Sequence, residues 1–572
     1  MKEIISRYKG RISLIAFISI VTTACMLYQP TVISDVIAAL NNVNDLGEIE
    51  PDQQAIITNG TILVVLGIIS LITGVATGIL SSDLAQVIGT DIREEAYKNV
   101  QRFSSSDVEK FSSSKLVVRL TNDVTQIQNF IVMGAQMIMR VPIMFVGAFI
   151  LAVMDFPQLW WTIILYILIV GVIMAISMKR MGPLFGGMQK DLDRVNTILK
   201  ENMLGIRVVK SFVTEEKEQK RFTEEVENLN EKQMAVAGTF SFMVPAFMFT
   251  ANILTAVAIY LTAGWAIDDP ALIGSLISFT TYVMQIMFAV IMMGMLSMTI
   301  SRASVSGKRI SEVLDYKPSM SFGKAELETI KSVEFKNVNF AYSDSDENVL
   351  EDISFTINHG EKIGIVGLTG CGKSTLVQLL PRLYDTTAGE IIINNRSINE
   401  YSNSSLRNKI GYVLQKPTLF SGTIAENIRQ GKADATTEEM IEAAKAAQAF
   451  EFINSKDDKF EARVEQMGNN FSGGQKQRLA ITRGLVKKPD LLILDDSTSA
   501  LDARSERLVK EAINQLDTTV VMVAQKITSV IDMDRIIVLN DGKIDGIGTH
   551  RELRKTSDLY NEIYRTQKGK EQ

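Results

Sequence analysis

Gly367-Leu368-Thr369-Gly370-Cys371-Gly372-Lys373-Ser374 follows directly on the apolar run 362–366 and leads into a helix-compatible stretch that begins at Thr375. A strand, a glycine-rich turn, Lys-Ser and a helix form the order that a phosphate-cradling loop requires. The glycines let successive backbone N–H groups turn inward on an anion, and the helix N-terminus adds partial positive charge. Lys373 can reach the outer phosphates of a nucleotide, and the Ser374 hydroxyl can serve Mg²⁺. The complementary half of such a site lies further on. Leu491-Leu492-Ile493-Leu494-Asp495 is an apolar strand that ends in a carboxylate, the expected second anchor on the metal side. A glycine turn beside a surface lysine would account for the first half and not for the second.

Working outward, short apolar runs at 333–340, 410–414 and 519–523 add buried strands to the same α/β pattern. Upstream, the composition changes across 302–330, where Lys308, Arg309, Asp315 and Pro318 mark a linker. The division expected is a first domain over 1–315 and a second over 316–572.

The first domain is of another kind. Uncharged stretches recur at 12–34, 57–82, 156–178, 233–267 and 271–301, and a sixth, 133–154, is interrupted only by Arg140. Roughly 20 apolar residues suffice for one bilayer crossing, so six crossings are expected. Lipid cannot satisfy backbone polar groups, so the crossings must be helices. The opening stretch carries Lys2, Arg7, Lys9 and Arg11 ahead of an apolar core too long for a cleaved leader, and it reads as a retained first helix.

Asp45, Glu48, Glu50 and Asp52 follow the first crossing without a basic residue. The turns Asp155-Phe156-Pro157 and Asp268-Asp269-Pro270 are short and acidic. Residues 83–132 and 179–232 are long and rich in Lys and Arg, which places them and both termini in the cytoplasm. Trp160, Trp161 and Trp265 lie by the outer turns, as an aromatic belt would. Helical spacing in 91–103 and 190–222 predicts helices that continue beyond the membrane.

Across its 572 residues the chain is 46% hydrophobic and 22% charged, with a mean hydropathy of +0.14, which fits an apolar part joined to a water-soluble part. A formal charge of −6 gives no basic stripe for nucleic acid. Two cysteines, Cys25 and Cys371, make no disulfide framework and suit a reducing compartment.

Phe471-Ser472-Gly473-Gly474-Gln475 narrows the reading, because it resembles the LSGGQ signature of the ATP-binding cassette family. The resemblance spans essentially the whole chain, six helices followed by one cassette, as in the exporter branch. It implies a membrane all-α six-helix domain of the exporter fold fused to an α/β P-loop cassette that binds ATP and Mg²⁺. Tyr342 matches the aromatic that stacks on adenine, and Gln415 the glutamine between metal and membrane domain. Ser499-Ala500-Leu501-Asp502 matches the D-loop, and Glu201 to Lys210 resembles the exporters' second intracellular loop. By the same resemblance the nucleotide contacts are Tyr342, Gly367 to Thr375 and, from a facing cassette, Ser472, Gly473, Gly474 and Gln475. The metal side falls to Ser374, Gln415 and Asp495.

Two catalytic positions depart from the family pattern. Asp496 stands where a glutamate polarises the attacking water, and Gln525 where a switch histidine is usual. Shortening by one methylene withdraws the carboxylate by roughly 1 Å, a misplacement that can lower a rate about 10²-fold. Gln525 can still donate a hydrogen bond to phosphate but cannot carry a proton charge. Neither histidine, His359 or His550, aligns with that position, and Gln466 replaces a customary acid ahead of the signature.

Two losses beside an undamaged signature imply a heterodimeric exporter, and the compact half-transporter form favours a bacterial plasma membrane. This chain would hold ATP in a binding-competent, poorly hydrolysing site and complete the partner's active site. A homodimer with slow turnover and an ATP-gated regulatory subunit stand as alternatives. The substrate class expected is hydrophobic or amphipathic small molecules, suggested by Met243, Met248, Met284, Met287, Met292, Met293, Met295 and Met298 in the last two crossings. Met284, Met287 and Met295 could share one helix face, or fill ordinary helix contacts. Arg140 could face an aqueous cavity and meet anions, or snorkel to the headgroups.

Overall fold

A computed structural model describes residues 1–42, 50–268, 272–343, 345 and 347–568. Asp45, Glu48, Asp269 and Pro270, four of the acidic-turn positions, and the Met298 side chain lie outside the described residues. The chain divides into two compact units, Met1–Tyr97 with Val117–Asp315, and Lys98–Leu116 with Tyr316–Gln572.

The first unit holds six helices long and apolar enough to cross a membrane: Lys9–Leu40, Gln53–Val100, Ser113–Asp155, Pro157–Leu204, Glu215–Trp265 and Leu272–Asp315. The second of these has 48 residues, about 72 Å at 1.5 Å per residue, against a hydrocarbon core of about 30 Å. Of the helical extensions read from residues 91–103 and 190–222, the first is carried to Val100, and the second by Trp160–Leu204, Ile206–Ser211 and Glu215–Asp268 with interruptions at Gly205 and 212–214. The hydrogen-bond ladder of the third crossing has a break between the helices Val124–Met137 and Arg140–Asp155, although Ile138 and Met139 keep right-handed helical angles. Pro142 explains the break, since it lacks the N–H that would bond the Ile138 carbonyl.

Proline also shapes the first crossing. Pro30 sits inside Lys9–Leu40 and removes the donor for the Met26 carbonyl. Gln285 of the sixth crossing donates its side-chain amide to that carbonyl at 3.3 Å. The adjacent carbonyl of Leu27 accepts from the Tyr282 hydroxyl at 3.0 Å, and that of Pro30 from Ser278. In a medium without water, these side chains satisfy backbone groups near the helix irregularity. Around them Tyr166, Phe247, Phe279, Val283 and Ile286 form a buried core, while Ile68, Leu71, Ile72 and Ile79 of the second crossing stay exposed on an apolar face.

Met287 enters that core, Met284 packs at its margin and Met295 is exposed. At 100° per residue the three fall within an arc of about 80°, so their different burial follows from their places along the helix, Met295 standing eleven residues beyond Met284.

The second unit is built on two larger sheets and a small third one. Its strands are β1 (Ser332–Phe340), β2 (Leu350–Asn358), β3 (Lys362–Gly367), β4 (Ala388–Ile393), β5 (Arg396–Ser397), β6 (Ile410–Val413), β7 (Gly422–Thr423), β8 (Arg463–Val464), β9 (Leu491–Asp495), β10 (Thr519–Val523), β11 (Arg535–Asn540) and β12 (Lys543–Gly548). The main sheet runs β12-β11-β3-β10-β9-β6; its pairings from β11 through β6 are parallel, and β12 adds an antiparallel edge. A second sheet, β2-β1-β4-β5, is antiparallel, and β7 pairs with β8 in the small third one.

Every residue of β9 and β10 is buried, as helices or loops covering both faces of a parallel sheet require. Side chains alternate between two cores: Leu491 and Ile493 enter one, Leu492 and Leu494 the other.

Residues 98–116 belong to this second unit. Their helix Ser105–Phe111 starts at a capping box between Ser104 and Asp107. Asp107 also accepts from the Tyr316 hydroxyl at 2.7 Å and from the Ser319 backbone at 3.1 Å. Burial alone would push its carboxyl up, but donors from Ser104, Tyr316 and Ser319 outweigh that and hold it below the usual range. Glu109 on the same helix accepts from the Tyr384 hydroxyl at 2.6 Å.

Candidate nucleotide site

The phosphate loop leaves β3 through a turn that only glycine tolerates at two points. Gly372 has φ +94, and a Cβ there would lie 2.9 Å from both the Leu350 side chain and the Val349 carbonyl. At Gly367 the Leu539 carbonyl approaches so closely that a Cβ would stand 2.3 Å from it. With these residues in place, Lys373 and Ser374 open the helix Lys373–Leu379 and present its N-terminal amides to the loop. The Lys373 ammonium lies over the loop, donating to the carbonyls of Gly367 at 2.9 Å and Leu368 at 2.7 Å.

A cavity of about 370 Å³ opens against the loop, lined among others by Tyr342, Gly372, Lys373, Ser374, Gln415, Asp496 and Gln525. The structure thus gathers residues from five separate stretches of sequence. Tyr342 shares a hydrogen bond with Thr375 at 3.0 Å and meets Phe340 and Tyr384 edge-on, which fixes the ring at the rim.

The carboxylates come from the end of β9. Asp495 accepts from the Ser374 hydroxyl at 2.8 Å and from Tyr412 at 3.4 Å. Burial raises its pKa and the neighbouring Asp496 charge adds to that, against the hydrogen bonds from Ser374 and Tyr412. A divalent cation offsets this kind of penalty. Ser374, Gln415 and Asp495 offer the oxygen donors that suit Mg²⁺, which takes one or two carboxylates and fills its shell with phosphate and water. Among the described residues no cluster of three or more His, Cys, Asp or Glu could hold a metal.

Asp496 is bound differently. Its backbone adopts φ +46, unusual for a residue with a side chain, and it is only 8% exposed. One oxygen, Oδ2, accepts from two side-chain amides, Gln525 at 2.9 Å and Gln415 at 3.1 Å. Both donors are neutral and neither can take a proton. Gln567, from the helix Asp558–Lys568, donates to the Gln525 carbonyl at 2.8 Å and accepts from the Ile527 amide at 2.8 Å, bracing this strand end.

The signature residues stand apart from the cavity. Ser472 caps the helix Gly473–Leu485, its hydroxyl accepting from the Gln475 amide at 3.3 Å while the Gln475 side chain accepts from the Ser472 amide at 3.0 Å. Ser472 and Gly473 are exposed, and a Cβ at Gly473 would meet open space. The thirteen-residue helix therefore presents an uncovered N-terminus with the polarity an anion favours. Neither His359 nor His550 lines the nucleotide cavity, and His550 instead pairs with Tyr560 at 2.8 Å.

Sequence reasoning missed Tyr412, Gln567 and Gln477. Gln477 lies almost wholly buried on the signature helix and donates to the Leu414 carbonyl beside Gln415 at 3.3 Å. A glutamine in a buried stripe of that helix was the available signal.

Residues 12–290 match the family described as ABC transporter transmembrane region, and residues 350–499 the family described as ABC transporter. The chain is 36% identical over 549 residues to the uncharacterized ABC transporter ATP-binding protein YfiB of Bacillus subtilis, covering 96% of this chain and 95% of that one. It is 35% identical over 493 residues to YgaD of the same organism, provisionally named a multidrug export ATP-binding/permease protein, covering 83% of each. The fold is similar to the structure of a bacterial Atm1-family ABC exporter with ATP bound, with a TM-score of 0.79, 24% identity and 98% of each chain covered.

Proposed function

Because the chain belongs to the ATP-binding cassette transporter family, as an exporter half-transporter with one membrane domain and one cassette, we propose that it is the slow-site subunit of a heterodimer. In this reading its own phosphate loop, Gly367 to Thr375, binds ATP and Mg²⁺ and turns the nucleotide over slowly. Its signature, Ser472 to Gln475, completes a working site on a second half-transporter that carries Glu and His at the two altered positions. The cassette and both termini face the cytoplasm, and the pair exports hydrophobic or amphipathic compounds across a bacterial plasma membrane.

The observation that carries this is the double amide clamp on Asp496. A general base must bring its carboxylate against the water it activates. Here the side chain is short, one oxygen is committed to two amides, and Gln525 offers no titratable nitrogen. The exposed, capped signature supports the other half of the reading, since it keeps the polarity a γ-phosphate needs from a facing subunit.

Trapping labelled nucleotide with vanadate in the co-purified pair tests it. Vanadate captures ADP only at a site that has hydrolysed. Trapped ADP on the partner chain, with intact ATP on this one, is the expected result. ADP trapped equally on both chains would refute the asymmetry.

A further inference from the structure

Within the membrane unit a cavity of about 230 Å³ lies between the first three crossings, lined by Ser19, Thr22, Gly74, Thr77, Gly78, Gln136 and Arg140. We propose that this cavity binds the acidic headgroup of an amphiphile, with the Arg140 guanidinium as its counter-charge.

Arg140 lies at the interrupted turn of the third crossing, two residues before Pro142 and at the start of the helix Arg140–Asp155. Its guanidinium turns into the bundle rather than away along the helix. One nitrogen donates to the Met26 sulfur at 3.1 Å, a weak acceptor, and the buried Nε has no partner. No carboxylate pairs with it among the described residues. A cation in a lipid-filled layer with an unpaired buried donor is a binding group awaiting an anion.

Of the remaining lining one side chain keeps a donor free, since the hydroxyl protons are already committed. Thr22 and Thr77 donate their hydroxyl protons to carbonyls one turn back on their own helices, and Ser19 donates to Ala135. Gln136 donates to Ser81 at 3.3 Å, leaving a second amide proton. The wall from the second crossing is kept low by Gly74 and Gly78, four residues apart, and a Cβ at either would meet nothing within 4 Å. Such spacing commonly marks close helix packing; among the described residues of this chain nothing fills the space beside either glycine. A phosphate, sulfate or carboxylate head fits the geometry, its tail lying along the exposed apolar face of the same crossing.

The bilayer's own anionic lipids and a transported amphiphile share this chemistry. Full-length protein, as purified, is titrated with decyl phosphate and with zwitterionic decylphosphocholine, and bound ligand is counted by native mass spectrometry. Selective binding of decyl phosphate is expected. Arg140→Gln should lose it about ten-fold, the loss expected for one charge-assisted hydrogen bond, and Arg140→Lys should retain part of it.

Gly78→Leu fills the cavity while keeping the charge, so it should also lose binding and serves if Arg140→Gln does not fold. ATP binding by the cassette should stay unchanged in all variants. Competition by phosphatidylglycerol would identify a bilayer lipid as occupant; binding of decyl phosphate alone would identify a single-chain amphiphile. Either result supports an acid-headgroup site. Wild-type affinity in both Arg140→Gln and Gly78→Leu would overturn it.

Discussion

Lengthening Asp496 by one methylene should restore turnover to this chain's own phosphate loop. In the structure the Asp496 carboxylate is drawn toward Gln525 and Gln415 by bonds of 2.9 and 3.1 Å to a single oxygen. Asp496→Glu moves the carboxylate outward by roughly 1 Å, the scale on which misplacement changes rates by about 10²-fold. The gain from that substitution alone should reach up to about 10²-fold, reduced by whatever hold the two amides keep on the longer side chain.

Gln525→His alone should do little, since the base would still be short. Together the substitutions should exceed the product of their separate effects, because each removes an obstacle to the other. The assay is phosphate release from the purified chain in liposomes, where a second copy supplies the signature, with Lys373→Ala as the blank. Rates for Asp496→Glu and for the double variant within two-fold of wild type, with ATP binding intact, would refute the reasoning.

Asp107→Ala should loosen the segment Ser104–Phe111 by about 3 kcal/mol, since it removes a capping box and bonds from Tyr316 and Ser319; hydrogen exchange across that segment measures it. Because the folded carboxyl is held below its unfolded value near 3.9, the stability it contributes is complete above that value. It should disappear as pH falls further, through the folded pKa. Tyr342→Ala should weaken ATP binding roughly ten-fold or more, as the loss of one base stack implies, read by calorimetry with ATP and Mg²⁺. Gly372→Ala should abolish nucleotide binding and lower cassette stability by about 1–3 kcal/mol, because a side chain at φ +94 is strained and meets Leu350 and Val349.

The crossings were legible because a bilayer asks only for a long apolar run, and that requirement is written in consecutive residues. So were β9 and β10, buried on both faces and therefore apolar at every position but the ends. The antiparallel strands β2, β4 and β12 were not found, because their exposed faces interleave Glu351, Glu390 and Asp545 among apolar residues. Pro142 stood in plain view, yet the break at Ile138 and Met139 depends on how the chain resolves a missing donor. The association of residues 98–116 with the second unit rests on long-range bonds to Tyr316, Ser319 and Tyr384, which no local pattern encodes. At the candidate site the individual residues could be named from their motifs. That Gln415 and Gln525 converge on the same oxygen of Asp496 is a fact of three strand ends meeting in space.

The most direct test of the asymmetry is steady-state ATP hydrolysis by this chain purified alone and reconstituted, set beside the same chain with its companion half-transporter. Hydrolysis by the chain alone barely above its Lys373→Ala variant, rising at least ten-fold when the companion is present, is the outcome predicted. Vigorous, Lys373-dependent turnover by the chain on its own would contradict it.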